Sequence, residues 1–239
     1  MRNARAKSRL IRNLLWLGLF LAAVAFGVML FTREQYVWLS LILALIAGFL
    51  PLVIFEQRQG SVRRLVLISG MTALATIGRL IFAALPSFKP SAALIILCGA
   101  YLGPEAGFVT GAMTALVSNI FFGQGPWTPL MMLAWGAIGM ISGYLFFSPT
   151  EYYEPSKARL IGMTIWGAFA GFLYSIIMDF GTVLMVDRAW NWSRYIALQI
   201  AALPTSIIYA VSNAVFILLM AKPVGRKLAR IERIHGVFH

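Results

Sequence analysis

Carboxylates are scarce in this chain: eight Asp and Glu stand against twenty Lys and Arg in 239 residues, and the only aspartates are Asp179 and Asp187. Histidine is scarcer still, with His235 and His239 at the very end, and there is one cysteine, Cys98. A single cysteine excludes an internal disulfide and a cysteine-rich metal cluster. Cys98 lies inside an apolar run and reads as a small buried hydrophobe. The two histidines have no third ligand beside them, so no metal site is expected. A GxxxxGK[ST] sequence is missing, which denies the chain that way of cradling ATP. HExxH, GxSxG, a Ser-His-Asp set and paired carboxylates are missing too, and no histidine falls within an apolar run. Acid-base and nucleophilic chemistry are therefore poorly served, and neither enzymatic activity nor a cofactor is expected.

What is abundant is apolar. Sixty per cent of the residues are hydrophobic and 12% are charged, and the apolar residues come in long blocks rather than with the stripe of a soluble helix. That profile defines the expected fold class: all-α, a polytopic helical membrane protein. The net charge of +12 then belongs to span ends and anionic lipid. A nucleic-acid site would need a continuous basic face with reading residues, and none is present. At about 20 residues per span, helices are expected near 14–31, 36–55, 63–85, 91–103, 105–122, 128–147, 160–186 and 196–220. The first apolar run follows "MRNARAKSRLIRN" and could be a secretory signal ending at Ala23-Val24-Ala25, but it continues to Phe31 and favours a retained anchor. The segment 91–103 is short enough to be half of a re-entrant hairpin with the next, which would make seven spans.

Sidedness arbitrates. With eight spans and a cytoplasmic start, inside segments hold fifteen Lys and Arg: five before residue 13, three in "EQRQGSVRR", two in "SPTEYYEPSKAR" and five after Met220. Outside loops hold four, Arg33, Lys89, Arg188 and Arg194, and Arg79 is within a span. The positive-inside rule supports eight spans in the cell membrane with both termini cytoplasmic. Three units follow: a basic N-terminus and hairpin over 1–60, a six-helix core over 61–220, and a basic cytoplasmic tail over 221–239. The tail reads as a weakly amphipathic helix lying on anionic lipid.

This topology puts "LPSFKPS", "GQGPWTP" and "DRAWNWSRY" on the outer face. Trp127, Trp190, Trp192 and Tyr195 lie in or beside these loops, where an aromatic belt is common. The inner loops lack their mixture of Trp, amide and Gly-Pro. Two charges sit within spans at similar depth, Arg79 and Asp179, about 10 Å below the outer surface at 1.5 Å per residue. Each costs roughly 2.5 to 3.5 kcal/mol unless paired or hydrated. They can form a structural ion pair or the charged floor of an outward-facing pocket. If they pair, Asp179→Asn should harm folding or binding more than Lys89→Ala. Ser118, Asn119 and Gln199 add hydrogen-bonding groups at that level. Small residues at four-residue spacing (Gly99, Gly103, Gly107 and Gly111; Gly139 and Gly143; Gly167 and Gly171) permit close helix packing.

The stretch from about Leu65 to Phe147, with "GRLIFAALPSFKPSAALIILCGAYLGPEAGFVTGAMTALVSNIFFGQGPWTPLMMLAWGAIGMISGYLF", resembles the substrate-binding membrane subunits, or S components, of energy-coupling factor (ECF) vitamin transporters. The series "FKP", "LGPEAG", "VSNIFFG" and "GQGPWTP" looks most like the cobalamin branch. The resemblance implies a six-helix core that binds a vitamin, cobalamin, on its outer side. The core would then dock on a transmembrane coupling subunit driven by two ATPase subunits and topple to deliver its cargo. Candidate substrate-binding residues are Arg79, Lys89, Asn119, Gln124, Trp127, Thr128, Asp179, Trp190, Trp192 and Tyr195. The docking face would include Ser69 and Ala73, and the N-terminal hairpin is additional to the family pattern. In the opening of "GQGPWTP", glycines admit close approach of a ligand, prolines stiffen the loop, Trp127 offers a flat face, and Gln124 and Thr128 offer hydrogen bonds. Rivals are an S component for another vitamin, a membrane enzyme using Arg79 and Asp179 on lipid phosphates, and an assembly or scaffold protein.

Overall fold

The computed structural model describes residues 62–147, 155–187 and 189–235. These form six helices: α1 Val62–Ile81, α2 Ser91–Leu102, α3 Pro104–Phe122, α4 Trp127–Phe146, α5 Lys157–Asp187 and α6 Trp192–His235. The expected spans at 14–31 and 36–55 lie outside the described residues, as do Arg188 and His239. Five of the six helices are long and apolar enough to cross a membrane, and α2 is the shorter one.

Local chemistry sets the helix ends. α1 stops at Ile81 rather than residue 85 because Pro86 disfavours helical backbone at Leu85. The chain instead tightens into turns in which the Ala83 amide donates to the Leu80 carbonyl and the Leu85 amide to that of Phe82. α5 begins at Lys157, where the Ser156 hydroxyl accepts from the Arg159 amide at 3.2 Å. α6 begins at Trp192 because Asn191 caps it, its Oδ1 accepting from the Arg194 amide at 3.1 Å. α6 then runs unbroken past Met220 to His235 with Pro204 and Pro223 inside it.

The register of α1 against α3 fixes the topology. At one end Arg64 donates to the Leu102 carbonyl and faces Glu105 at 3.8 Å; at the other, Arg79 meets Ser118 and Asn119. The two helices therefore run parallel, and α2 carries the chain back between them. The corner between α2 and α3 therefore lies at the Arg64 end of α1. α2 needs only 12 residues, about 18 Å, because the loop 82–90 completes the return. Every residue of α2 is buried, so this helix is the core of the bundle. Its C-terminal carbonyls are not abandoned in apolar surroundings: Arg159 donates to that of Ala100 at 3.0 Å and Arg64 to that of Leu102, while Arg159 also donates to the Phe146 carbonyl at the end of α4. The Tyr101 hydroxyl donates to the Ala221 carbonyl of α6 at 2.8 Å.

Glycine makes the tight side of the bundle. A methyl group added at Gly99 or Gly107 would strike the backbone of Gly139, and one at Gly111 would strike that of Trp135. α2, α3 and α4 thus touch main chain to main chain, with Gly143 set against Pro104. Gly103, at φ 98°, makes the corner between α2 and α3, where an L side chain would be strained. Gly171 lies against the backbone of Ala210, and Asn213 donates to the Gly167 carbonyl at 3.0 Å, joining α5 to α6. Cys98 is fully buried, 3.1 Å from the Thr110 hydroxyl, in keeping with a packing role.

Candidate functional site

The parallel pair α1 and α3 brings Arg79, Ser118 and Asn119 together near their C-terminal ends. Arg79 Nη1 donates to the Ser118 hydroxyl and, at 2.8 Å, to Asn119 Oδ1. The Asn119 amide nitrogen donates onward to Thr128 Oγ1 at 3.0 Å. Asn119 is buried, and its two ends thereby tie α1 to α4 through α3. The guanidinium also lies 4.6 Å from the Phe122 ring centroid and 5.2 Å from that of Trp135, within cation–π range. Trp135 donates to the Tyr209 hydroxyl at 3.1 Å and its ring is 5.9 Å from Tyr174, which meets Tyr209 edge-on at 5.4 Å. Five helices' worth of chain, α1, α3, α4, α5 and α6, supplies this one cluster.

Lys89 joins from the loop 82–90. Its backbone is pinned at both ends: its amide donates to the Ser212 hydroxyl at 2.9 Å, and that hydroxyl donates to its carbonyl at 3.1 Å. Phe82 and Phe88 each pack on Phe216 with ring centroids 5.3 Å apart. From this fixed base the ammonium reaches to 5.1 Å from the Phe122 centroid. Burial lowers the Lys89 pKa below the usual lysine value, and the nearby Arg79 charge lowers it further.

The loop residues that the sequence marks out behave less uniformly. Gln124 is exposed, and its side chain turns back along α3 to donate to the Leu116 carbonyl at 2.9 Å. Thr128 is buried and accepts from Asn119 and from the Gly125 amide. Trp127 folds back over Gly125, leaving no room for a side chain there, and remains 46% exposed. Much of "GQGPWTP" is thus a clasp that closes α3 onto α4, with the Trp127 ring on its surface.

Arg79 and Asp179 do not form the ion pair that their similar depth allows. Arg79 is held by Ser118 and Asn119, while Asp179 accepts from Gln199 at 2.9 Å across the α5–α6 pair. The partners are polar neighbours on adjacent helices, which sequence depth alone does not resolve. Because an amide oxygen at 179 can still accept from Gln199, Asp179→Asn is now expected to change thermal stability by less than about 1 kcal/mol. Thermal unfolding of the detergent-purified variant checks this, and a loss of several kcal/mol would reinstate a charge partner.

Trp190, Trp192 and Tyr195 gather in a second place, at the α5–α6 tip. Trp190 is 5.1 Å from the Phe180 ring, 4.9 Å from Trp192 and 5.1 Å from Tyr195, and Asp187 pairs with Arg194 at 2.6 Å. No hydrogen bond or ring contact joins this tip to the Arg79 cluster among the described residues. Sequence reasoning missed Phe122, Trp135, Tyr174 and Tyr209. An aromatic ring within an apolar run gives the same signal whether it faces lipid or the interior.

On α1, Ser69, Gly70 and Ala73 are exposed, flanked by exposed Leu65, Val66, Leu74 and Ile77, and a methyl group at Gly70 would meet open space. The flank of α1 away from α3 is therefore uncovered by the described residues.

The described helices thus form an apolar, multi-pass bundle with a cationic, aromatic cluster held among them. Among protein families, the one described as "ECF-type riboflavin transporter, S component" matches residues 58–230. The chain belongs to that family and is an S component, a transport subunit. No curated protein and no solved structure matched the chain.

Proposed function

We propose that this protein captures a vitamin on the outer face of the cell membrane and delivers it through an ECF-type importer. The observation that carries the reading is the Arg79 cluster: a guanidinium anchored by Ser118 and Asn119, walled by Phe122 and Trp135, with Lys89 above it. Such a combination of flat faces and directed donors suits a ring-shaped ligand with hydrogen-bond acceptors. Arg79, Lys89, Asn119 and Thr128 form or support the floor. Gln124 and Trp127 lie at its rim, and Trp190, Trp192, Tyr195 and Asp179 belong to a separate flank that a large ligand would reach. Docking on the coupling subunit, with two ATPase subunits supplying the energy, would use the uncovered face of α1 at Ser69 and Ala73. Both termini would be cytoplasmic, and the segment before residue 61 would be an added hairpin.

Cobalamin is the vitamin we favour, on the likeness of the outer loops to that branch and the breadth that two aromatic groups would offer a corrinoid. Riboflavin is the second reading, favoured by the description of the matching family. Equilibrium binding of the purified full chain to cobalamin, riboflavin, thiamine, biotin and folate separates them. Saturable binding of cobalamin at one site is expected. Binding of another vitamin without cobalamin would refute the finer reading and leave vitamin capture standing.

A further inference from the structure

Arg79 and Lys89 share a single aromatic ring, at 4.6 and 5.1 Å from the Phe122 centroid, and among the described residues no carboxylate pairs with either. Among the described residues, the acidic side chains of the six helices are committed elsewhere. Glu105 faces Arg64 at the opposite end of α1, Asp179 holds Gln199, and Asp187 holds Arg194. Two cations drawn close in a partly desolvated place repel each other, and a protein ordinarily relieves this with an acid. Here a pinned backbone holds Lys89 in position, through Ser212 at both its amide and its carbonyl.

The donors are also left available. Both Arg79 hydrogen bonds leave from Nη1, and neither Nε nor Nη2 has a protein partner among the described residues. Neither atom is sealed from solvent. A guanidinium whose second nitrogen edge is open presents the fork that binds carboxylate or phosphate oxygens, and an ammonium beside it adds a second point of charge. Phe122 is 40% exposed, so the ring that both cations flank is reachable from outside.

From these contacts we infer that the transported ligand carries a fixed anionic group, a phosphate or a carboxylate, which seats between Arg79 and Lys89 and supplies the missing counter-charge. The inference rests on the vitamin-capture reading and narrows its substrate class. A neutral vitamin would leave the two like charges beside Phe122 uncompensated in the occupied state, whereas an anion offsets them and fills the open edge of Arg79 at once.

The test compares ligands that differ in that group. Purified full chain is titrated with riboflavin 5′-phosphate against riboflavin, cobalamin against cobinamide (which lacks the phosphodiester arm), biotin against biotin amide, and pantothenate against panthenol. In whichever pair binds, the anionic member is expected to bind at least tenfold more tightly. Lys89→Met is expected to narrow that gap about tenfold, and Lys89→Arg to retain it. Equal or tighter binding of the neutral member would overturn the inference while leaving vitamin capture intact. An unchanged gap in Lys89→Met would also overturn it, since Lys89 would then contribute nothing to anion recognition. Failure of every vitamin, charged or neutral, to bind would fall on the capture reading itself and take the inference with it.

Discussion

Asn119→Leu is expected to abolish vitamin binding and to cost the protein about 2 to 6 kcal/mol of stability, taking each of two unmade buried hydrogen bonds at about 1 to 3 kcal/mol. The residue is buried and uses both ends of its amide, accepting from Arg79 at 2.8 Å and donating to Thr128 at 3.0 Å. Leucine keeps the volume and removes both bonds. Arg79 then has only Ser118 to hold Nη1, and a cation that loses its orienting partner in an apolar bundle must rotate, draw in water or pull its helix aside. Asn119→Asp separates the two consequences, because its carboxylate still accepts from Arg79 but cannot donate to Thr128 and neutralises the site. Stability near that of the parent with lost affinity for an anionic ligand is expected for Asp. Unfolding in detergent together with ligand titration checks both variants.

Gly139→Leu is expected to prevent accumulation of folded protein. The Gly139 backbone lies where side chains at Gly99 and Gly107 would otherwise be, and a side chain on Gly139 itself would strike the Gly107 backbone. Overpacking in a well-packed core costs about 1 to 3 kcal/mol when side chains can give way. Here the nearest obstructing atoms are the Gly107 main chain of α3, with the Ile95 side chain of α2 beside them, so α3 itself would have to move. Within lipid the helices associate largely through such close packing, which leaves no separate hydrophobic term to compensate. Gly70→Leu is the control, because open space surrounds that position. Membrane yield and size-exclusion profiles should differ sharply between the two, and equal profiles would mean that the glycine contact is not structural.

Much of the fold is legible in the sequence because its strongest signals are local. The apolar blocks place α2, α3 and α4 to within a residue or two of their observed ends, and the caps at Ser156 and Asn191 account for the earlier starts of α5 and α6. The glycine spacing foretells the tight α2–α3–α4 contact. What the sequence hides is which side of each helix looks inward. Trp135, Tyr174 and Tyr209 sit in runs as apolar as those of lipid-facing rings, and only the bundle brings them to Arg79. Arg79 and Asp179 show the same limit: depth is additive along a helix and can be counted, but azimuth depends on how five other helices pack. The loop "GQGPWTP" is informative about position and less so about role, since Thr128 spends its hydrogen bonds closing the α3–α4 corner and Gln124 turns back onto α3.

The most direct test of outward capture is site-specific labelling at Gln124→Cys in intact cells with a membrane-impermeant maleimide. The native Cys98 is fully buried, so the introduced thiol should supply the signal. The account predicts labelling from outside, slowed when the bound vitamin is present. Labelling that appears only after the membrane is permeabilised would place the Arg79 end of the bundle in the cytoplasm and contradict it.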